Sequence, residues 1–335
     1  MEWKRPMRFW SATLLSVFAV VLTTSVLLNV VCGHRSPYIA DQYRIVANIP
    51  YLMGDTWHST LDLYLPSGMA GLHPTVIYMH GGGWVAQSKE TNVLHLLPYL
   101  EMGWAVVNVE YRLGQVAPAP AAVEDCRCAL RWVIRNARVY NLDTSQLVVT
   151  GHSAGGHLAL TTGMVPASAG FDDQCPGTEE LQVAAIINWY GITDVSDLLG
   201  GPNMKDYALA WLGKQPDREE IARRVSPLTY VRPGLPPILT IHGSADPTVP
   251  YSHAVRLQEA LDKVGVLHQL VTIASGKHGG FGRAQTVKIY STIQEFLTKH
   301  HIARRSPSAI SQARECLART YRSVTKRIQW LWPQV

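Results

Sequence analysis

The chain has 335 residues, of which 47% are hydrophobic and 16% are charged, and its formal net charge is +5. A chain of this length and composition can bury one large hydrophobic core, so one domain with short appendages is the simplest organisation. The positive charge lies at the ends: residues 302–335 carry seven Lys or Arg and one Glu, and residues 1–8 carry three and one. The middle is slightly acidic, which argues against a nucleic-acid groove there.

The first predicted element is an uncharged apolar stretch from Phe9 to Gly33. A helix of that length, rising about 1.5 Å per residue, can cross the roughly 30 Å hydrocarbon layer of a membrane. Because basic residues precede it, the positive-inside tendency places the rest of the chain on the extracytoplasmic side. We interpret residues 1–33 as a membrane anchor, inserted through residues 9–32 if uncleaved. A signal peptide removed near Cys32 is the alternative, and a buried core helix is a third.

Two strands are predicted next, Tyr43–Ile49 and Leu61–Leu65, and the turn residues Gly54 and Asp55 between them predict a hairpin. Further along, uninterrupted apolar runs alternate with helical patterns, and such runs are typical of strands buried on both faces of a parallel sheet. The predicted strands are 75–80, 104–109, 147–150, 184–189, 238–242 and 269–273, and the predicted helices are 94–100, 121–140, 156–163 and 286–299. The alternation predicts an α/β fold with a mostly parallel central sheet and helices on both faces.

The stretch at about 191–236 separates two of these strands and is rich in turn and helix signals. A connection of that length is typical of a lid or a pocket wall. We therefore divide the chain into an anchor or signal segment (1–33), a domain at 38–301 that contains this lid, and a basic tail (302–335). The tail combines basic and apolar residues, which suits contact with an anionic membrane surface, although a solvated end is an equal alternative.

The predicted strand 147–150 leads directly into Gly151-His152-Ser153-Ala154-Gly155 and then into a helix of small residues. This is the G-x-S-x-G pattern in the strand–turn–helix context of a nucleophile elbow. The glycines are needed because the turn is too tight for side chains, and the strained turn leaves the Ser153 hydroxyl exposed. A plain glycine-rich turn is the alternative, but the flanking strand and helix favour Ser153 as a nucleophile.

A second glycine-rich motif, His80-Gly81-Gly82-Gly83-Trp84, follows the first buried strand. Glycines at such a position let backbone N–H groups approach a reacting carbonyl without shielding by side chains. Donation from the N–H groups of Gly82, Gly83 and Ala154 would stabilise a tetrahedral oxyanion. We therefore predict these three residues as an oxyanion hole.

A serine hydroxyl is a weak nucleophile unless a base takes its proton, and the base needs a third group to fix its tautomer. Asp246 and His278 each follow the end of a predicted strand, at the sheet edge where such folds place their sites. The predicted triad is therefore Ser153, Asp246 and His278. Three other histidines downstream of Asp246 do not follow the carboxyl end of a strand: His268, His300 and His301.

Aromatic residues near these motifs are candidates for a substrate pocket: Trp84, Tyr190 and Trp211. Ordinary core packing is the alternative for each of them. His152 and His157 flank the elbow, and we interpret both as packing residues, because a neighbour of the serine points away and one turn along the helix faces the packing layer. His80 and His242 end strands and are interpreted as braces for neighbouring loops.

Four cysteines follow the apolar stretch: Cys126, Cys128, Cys175 and Cys316. They allow three pairings. Cys126 and Cys128 lie on one predicted helix and point about 200° apart, so no bond between them is expected. No spacing resembles a zinc site, and mostly unpaired, buried thiols are the favoured interpretation. No metal or organic cofactor is implied.

Taken in order, the motifs resemble one branch of the α/β-hydrolases: the esterases and lipases that include hormone-sensitive-lipase-like and bacterial feruloyl- or acetyl-esterase-like (BD-FAE) enzymes. The resemblance covers about residues 40–300 and is carried by 62–66, 80–84, 111–112, 151–159, 242–243, 246–250 and 278–281. Hormone-sensitive-lipase-like members usually carry Asp where His152 stands, so the likeness is to the feruloyl- and acetyl-esterase-like group.

This resemblance implies a serine carboxylic-ester hydrolase acting on small-acyl or polysaccharide-linked esters. An amide or peptide hydrolase of the prolyl-oligopeptidase-like type is the second candidate, although no propeller or amine-binding acidic pair is evident. A catalytically silent binding module is the third, and such modules typically lose the serine or the histidine. The expected partners are an ester substrate and, through the amino-terminal segment, a membrane; nucleic acid is not expected.

Overall fold

Eight strands form one sheet in the computed structural model, which describes residues 43–54, 57–67 and 71–302. The strands are Tyr43–Met53 (β1), His58–Pro66 (β2), His73–Met79 (β3), Ala105–Val109 (β4), Leu142–His152 (β5), Ala185–Trp189 (β6), Ile238–Gly243 (β7) and His268–Ile273 (β8). Their order across the sheet is β1-β2-β4-β3-β5-β6-β7-β8. β2 pairs antiparallel with β1 and β4, and the remaining pairs are parallel. The predicted class, an α/β fold with a mostly parallel sheet, is confirmed.

Helices connect the parallel strands in the described part of the chain. The α-helices are Leu97–Glu101 (α1), Ala121–Tyr140 (α2), Ala154–Met164 (α3), Asp206–Leu212 (α4), Arg218–Arg224 (α5), Ser252–Lys263 (α6) and Arg283–Lys299 (α7). α2 ends where predicted, because Asn141 follows it in the left-handed conformation with φ 55°. A residue in that conformation terminates a helix, and asparagine tolerates it better than most.

Three of the parallel strands are buried along their whole length, as their unbroken apolar sequences predict. Every residue of β4, β6 and β7 is buried. β1 is instead an edge strand with many exposed residues, and it runs four residues beyond its predicted end at Ile49. Its pairing with β2 confirms the predicted hairpin, while Asp55 of the turn lies outside the described residues.

The segment 191–236, predicted as a lid or pocket wall, contains α4, α5 and several short 3₁₀ turns. Two of its residues contact the glycine-rich loop that follows β3. The ring of Trp211 stacks on Trp84 with ring centres 4.1 Å apart, and Tyr207 lies against Gly83. The segment is therefore packed onto the loop that carries the predicted oxyanion donors.

A disulfide joins Cys128 of α2 to Cys175 in the loop before β6. The two Cα atoms are 5.7 Å apart, which is an ordinary separation for a disulfide. The expectation of mostly unpaired thiols is therefore wrong for this pair, because α2 directs Cys128 toward the loop. Cys126 faces the opposite way and is a buried free thiol, as its helical position predicts. Cys32 and Cys316 lie outside the described residues.

Reducing this disulfide should destabilise the protein without abolishing the fold. The bond closes a sequence separation of 47 residues, and a loop of that size corresponds to about 2–4 kcal/mol of stability. We expect dithiothreitol to lower the melting temperature of the wild type. The double variant Cys128→Ser/Cys175→Ser should melt at that lower temperature with or without dithiothreitol. Equal melting temperatures for oxidised and reduced wild type would contradict a stabilising bond.

The predicted anchor or signal segment lies outside the described residues, as does the basic tail apart from Ile302. Among the residues that are described, no helix is long and apolar enough to cross a membrane.

Candidate active site

Ser153 lies in the sharp turn between β5 and α3, with φ 58° and ψ −120°. The turn is tight because the backbone of α3 begins against the end of β3. A Cβ added to Gly151 would lie 2.5 Å from the Met79 carbonyl oxygen, and one added to Gly155 would lie 2.1 Å from it. Only glycine fits at both positions, which gives the G-x-S-x-G pattern a direct steric reason.

Ser153, His278 and Asp246 form one hydrogen-bonded chain. His278 Nε2 lies 2.8 Å from Ser153 Oγ, and His278 Nδ1 lies 2.7 Å from Asp246 Oδ2. The ionised carboxylate can only accept, so Nδ1 carries the hydrogen and Nε2 is free to accept the serine proton. The three residues come from loops after β5, β7 and β8, whose parallel strands end at the same edge of the sheet.

The Asp246 side chain is fully buried. Its Oδ1 accepts the backbone N–H groups of Thr248 at 2.8 Å and Val249 at 3.0 Å, and His242 Nε2 lies 3.3 Å from its Oδ2. Burial alone would raise the pKa of Asp246, but hydrogen bonds from His242 and His278 outweigh it and hold this pKa well below its usual value. The Asp246 carboxylate therefore stays ionised and provides a charged partner for His278. His242 braces the acid, close to its predicted role of bracing a neighbouring loop.

The glycine-rich loop lies beside the nucleophile. A Cβ added to Gly81 would be 3.7 Å from the Cβ of Ser153. Gly82 and Gly83 both have positive φ, 103° and 60°. The Gly82 carbonyl accepts bonds from within its own loop, whereas the N–H groups of Gly82, Gly83 and Ala154 donate to no other described residue. Three unpaired donors, in the loop next to Ser153 and at the start of α3, have the composition that an oxyanion hole requires.

Replacing Gly82 by Ala should lower the catalytic rate strongly. The new Cβ would lie 2.0 Å from the Ala86 carbonyl oxygen, so the loop and its N–H groups must move. We expect a loss of about 3 kcal/mol of transition-state stabilisation, measured as kcat/KM for an ester. Gly234→Ala is the control, because Gly234 also has positive φ but meets no atom within 4 Å. Equal activity of the two variants would place the oxyanion donors elsewhere.

Tyr190 is the predicted pocket residue that reaches the triad. It follows β6 with an unusual φ of 41°, and its ring lies edge-on to His278 with centres 4.7 Å apart. A Cβ on Gly279 would lie 2.8 Å from its hydroxyl oxygen. Burial raises the pKa of Tyr190, so the hydroxyl stays protonated and can donate a hydrogen bond.

Trp84 and Trp211, the other two residues predicted to line a pocket, do not reach the site surface. Both side chains are completely buried. They stack on each other between the glycine-rich loop and the 191–236 segment, so packing of that segment removes them from solvent. Tyr207 of the same segment, which sequence reasoning missed, lies against Gly83 instead, and its hydroxyl donates to the Thr248 carbonyl at 3.2 Å.

Lys89 is a second residue that sequence reasoning missed. It is buried at the end of the glycine-rich loop, and its Nζ lies 2.9 Å from both carboxylate oxygens of Asp62. Its backbone N–H donates to Glu110 Oε2 at 2.6 Å. These bonds tie the loop to β2 and to the residue that follows β4. Asp62 lies in one of the motifs that carry the family resemblance, and this motif could have pointed to a buried partner for its carboxylate.

A polar cavity of about 560 Å³ lies at the far end of α3 and shares no residue with the triad. Its walls include Arg127 and Arg131, which pair with Asp172 and Glu179. Because these charges neutralise one another, we attribute the polar lining of the cavity to a network of ion pairs.

The chain is similar in sequence to known esterases. The BD-FAE family model matches residues 61–261, and the model described as TAP-like protein matches residues 216–308. Esterase LipQ of Mycobacterium tuberculosis is 28% identical over 279 residues, which are 78% of this chain and 65% of LipQ. The chain thus spans less than two thirds of the length of this relative.

Two of the similar solved structures match over nearly their whole length. A truncated carbohydrate esterase from gut microbiota is 28% identical with a TM-score of 0.66, over 77% of this chain and 98% of its own. The propionate-bound esterase Est2 of Thermogutta terrifontis is 26% identical with a TM-score of 0.65, over 82% of this chain and 100% of its own. The aligned part of this chain therefore corresponds to nearly the whole of each of these two proteins.

Proposed function

Because the chain belongs to the BD-FAE family, whose model matches residues 61–261, we propose that it is a serine hydrolase that cleaves carboxylic esters. The observation that carries this proposal is the chain of hydrogen bonds from Ser153 Oγ through His278 to Asp246, with contacts of 2.8 and 2.7 Å. A serine whose proton can pass to an imidazole oriented by a carboxylate is an activated nucleophile.

The geometry supports a two-step reaction. In the first step Ser153 Oγ attacks the ester carbonyl carbon while His278 Nε2 takes the serine proton. The carbonyl oxygen becomes an oxyanion, which the N–H groups of Gly82, Gly83 and Ala154 stabilise. When the tetrahedral intermediate collapses, the bond to the alcohol oxygen breaks and His278 returns the proton to that oxygen. The alcohol leaves, and the acyl group stays on Ser153.

Water completes the second step by the same route. His278 Nε2 takes a proton from water, and the resulting hydroxide attacks the acyl carbonyl carbon through a second oxyanion. Its collapse breaks the bond to Ser153 Oγ, which recovers a proton from His278, and the carboxylic acid leaves. Asp246 keeps the Nδ1 proton throughout and stabilises the transient imidazolium by its charge. The lowered pKa of Asp246 supports this role, because the carboxylate stays ionised.

The proposed substrates are esters of small acyl groups, including acyl groups attached to polysaccharides. Two comparisons support this choice, since one structural relative is a carbohydrate esterase and another holds propionate. Tyr207 and Tyr190 add bulk on two sides of the site, next to Gly83 and Gly279. We expect aromatic bulk beside the base and beside a proposed oxyanion donor to favour short acyl chains over long ones.

A panel of esters tests the proposal. We expect turnover of p-nitrophenyl acetate to butyrate with a fall in kcat/KM toward longer chains. Acetylated xylan and methyl ferulate then separate an acetyl-polysaccharide preference from a feruloyl one. Faster turnover of p-nitroanilides than of the matching esters would support an amide hydrolase instead. No turnover, together with no labelling by a fluorophosphonate, would overturn the serine-hydrolase proposal.

The catalytic unit is further proposed to work outside the cytoplasm, exported by the apolar segment Phe9–Gly33. The disulfide between Cys128 and Cys175 supports this location, since such bonds persist in oxidising compartments. Alkaline carbonate extraction of membranes compares the full chain with residues 34–335. If the full chain stays with the extracted membranes and residues 34–335 do not, the segment is an anchor. Release of a shortened protein into the medium supports a cleaved signal. Reduced protein found in the cytoplasm would contradict export.

A further inference from the structure

The two halves of the proposed oxyanion hole come from different parts of the chain. Gly82 and Gly83 belong to the loop after β3, whereas Ala154 begins α3. A hole that stabilises an oxyanion needs its donors at a fixed spacing, and a displacement of about 1 Å can cost 100-fold in rate. Contacts between the loop and α3 must therefore fix the distance between these donors.

One hydrogen bond links them directly. Trp84, the residue after Gly83, donates its indole Nε1–H to Nδ1 of His157 at 3.2 Å. His157 lies one turn into α3, and its backbone N–H donates to the Ser153 carbonyl at 3.0 Å. The bond therefore joins Trp84, which follows the donors Gly82 and Gly83, to the first turn of α3, which carries the donor Ala154.

The tautomer of His157 follows from its partners. An indole N–H can only donate, so Nδ1 accepts and Nε2 carries the hydrogen. That Nε2–H donates to the Val225 carbonyl at 2.7 Å, in the segment packed over the loop. The ring is completely buried, and burial lowers the pKa of His157 to about 3, so the acceptor nitrogen stays unprotonated.

The backbone of Trp84 shows why a side-chain anchor is needed. Its φ is 62°, an unfavourable value for an aromatic residue, and it continues the positive φ of Gly82 and Gly83. Strained backbone persists only where surrounding contacts fix it. The indole is completely buried, and its one polar atom is bonded to His157.

We propose that Trp84 and His157 are positioning residues whose hydrogen bond fixes the separation of the two halves of the oxyanion hole. This inference rests on the proposed ester hydrolysis. Neither residue touches the reacting atoms; each acts through the backbone N–H groups beside it. The 191–236 segment then serves as a fixed support for the site, through the bond between His157 and the Val225 carbonyl.

A matched pair of substitutions tests the hydrogen bond apart from aromatic packing. Trp84→Phe and Trp211→Phe remove the same atoms from two fully buried, mutually stacked indoles. Trp84 Nε1 has a bond to lose, whereas Trp211 Nε1 has no partner among the described residues. For p-nitrophenyl acetate we expect Trp84→Phe to lower kcat about 10- to 100-fold with little change in KM. Trp211→Phe should stay within about threefold of wild type.

A double-mutant cycle identifies the partner. His157→Leu should lower kcat by about as much as Trp84→Phe, and the double variant should be no worse than either single one, because all three lose the same bond. His157→Gln keeps one acceptor and one donor and should restore much of the rate. A trifluoromethyl ketone, which forms the oxyanion when bound, should lose affinity in step with kcat/KM.

Equal kcat in Trp84→Phe and Trp211→Phe would overturn the inference, even if both variants melt at a lower temperature than wild type. Fully additive losses in the double variant, or trifluoromethyl ketone affinity that does not follow kcat/KM, would also overturn it. These failures differ from failure of the proposed function, which appears in the wild type itself as absence of ester turnover. If Trp84→Phe does not fold, His157→Gln and His157→Leu still decide between the outcomes.

Discussion

Replacing Ser153 by Ala is expected to lower kcat for ester hydrolysis by about 10⁴-fold or more, because the members of a catalytic triad act as one unit. Without Oγ no acyl-enzyme forms, while the remaining donors and binding contacts give only a small residual rate. Steady-state kinetics with p-nitrophenyl acetate measures the loss. Labelling with a fluorophosphonate should disappear in the same variant.

A loss of activity at this position is informative only if the protein still folds. Alanine has the same Cβ as serine, so the variant should keep the wild-type circular dichroism spectrum and a similar melting temperature. Ser145→Ala is the control, because Ser145 is an exposed serine of the same strand, β5. Retained ester turnover in a folded Ser153→Ala protein would show that another residue is the nucleophile.

Replacing His278 by Ala should have an effect of similar size. Its Nε2 is the acceptor nearest Ser153 Oγ, at 2.8 Å, and without it the serine has no base in the described site. We expect kcat to fall by roughly 10⁴-fold. Stopped-flow measurement of the p-nitrophenol burst should show that acylation itself has slowed, since the first proton transfer is lost.

Three other downstream histidines serve as controls, because the structure places them away from Ser153. His268 begins β8 at the opposite end of the strand from His278, and its Nδ1 lies 2.8 Å from the Val266 carbonyl oxygen. His300 and His301 follow the end of α7. Alanine at each of these three positions should leave kcat within a few-fold of wild type. Loss of activity in His268→Ala with retention in His278→Ala would refute the proposed triad.

Much of this site could be predicted because it is built on a simple rule of sheet geometry. Ser153, Asp246 and His278 are far apart in sequence, but each follows a strand that the apolar pattern reveals. Parallel neighbouring strands end at one edge, so residues just beyond those ends come together. The need for glycine at positions 151 and 155 could also be predicted, because the turn at Ser153 leaves no room for a side chain at either position.

The features that escaped prediction depend on contacts between segments with no shared pattern. Burial of Trp84 follows from how the 191–236 segment packs, and nothing in its local sequence indicates that packing. The partner of Cys128 depends on the course of the loop before β6, so sequence spacing could not select it. His157 was expected to face a packing layer, and it does, but its role as a hydrogen-bond bridge requires the positions of Trp84 and Val225.

The backbone at Ser153 has a consequence for any effort to make this protein more robust. A non-glycine residue at φ 58° and ψ −120° carries a conformational cost of about 1–3 kcal/mol. Glycine would relieve that cost, so directed evolution with heat resistance as its only criterion would reward removal of the nucleophile. Trp84 and Tyr190 also have positive φ, 62° and 41°, but both side chains are buried. Truncating a buried aromatic costs about 3–5 kcal/mol, which exceeds the backbone strain that glycine would relieve, so selection for heat resistance would keep both residues. Libraries for thermostable variants should therefore hold the Ser153 codon fixed, because the strained residue is the one that the proposed chemistry uses.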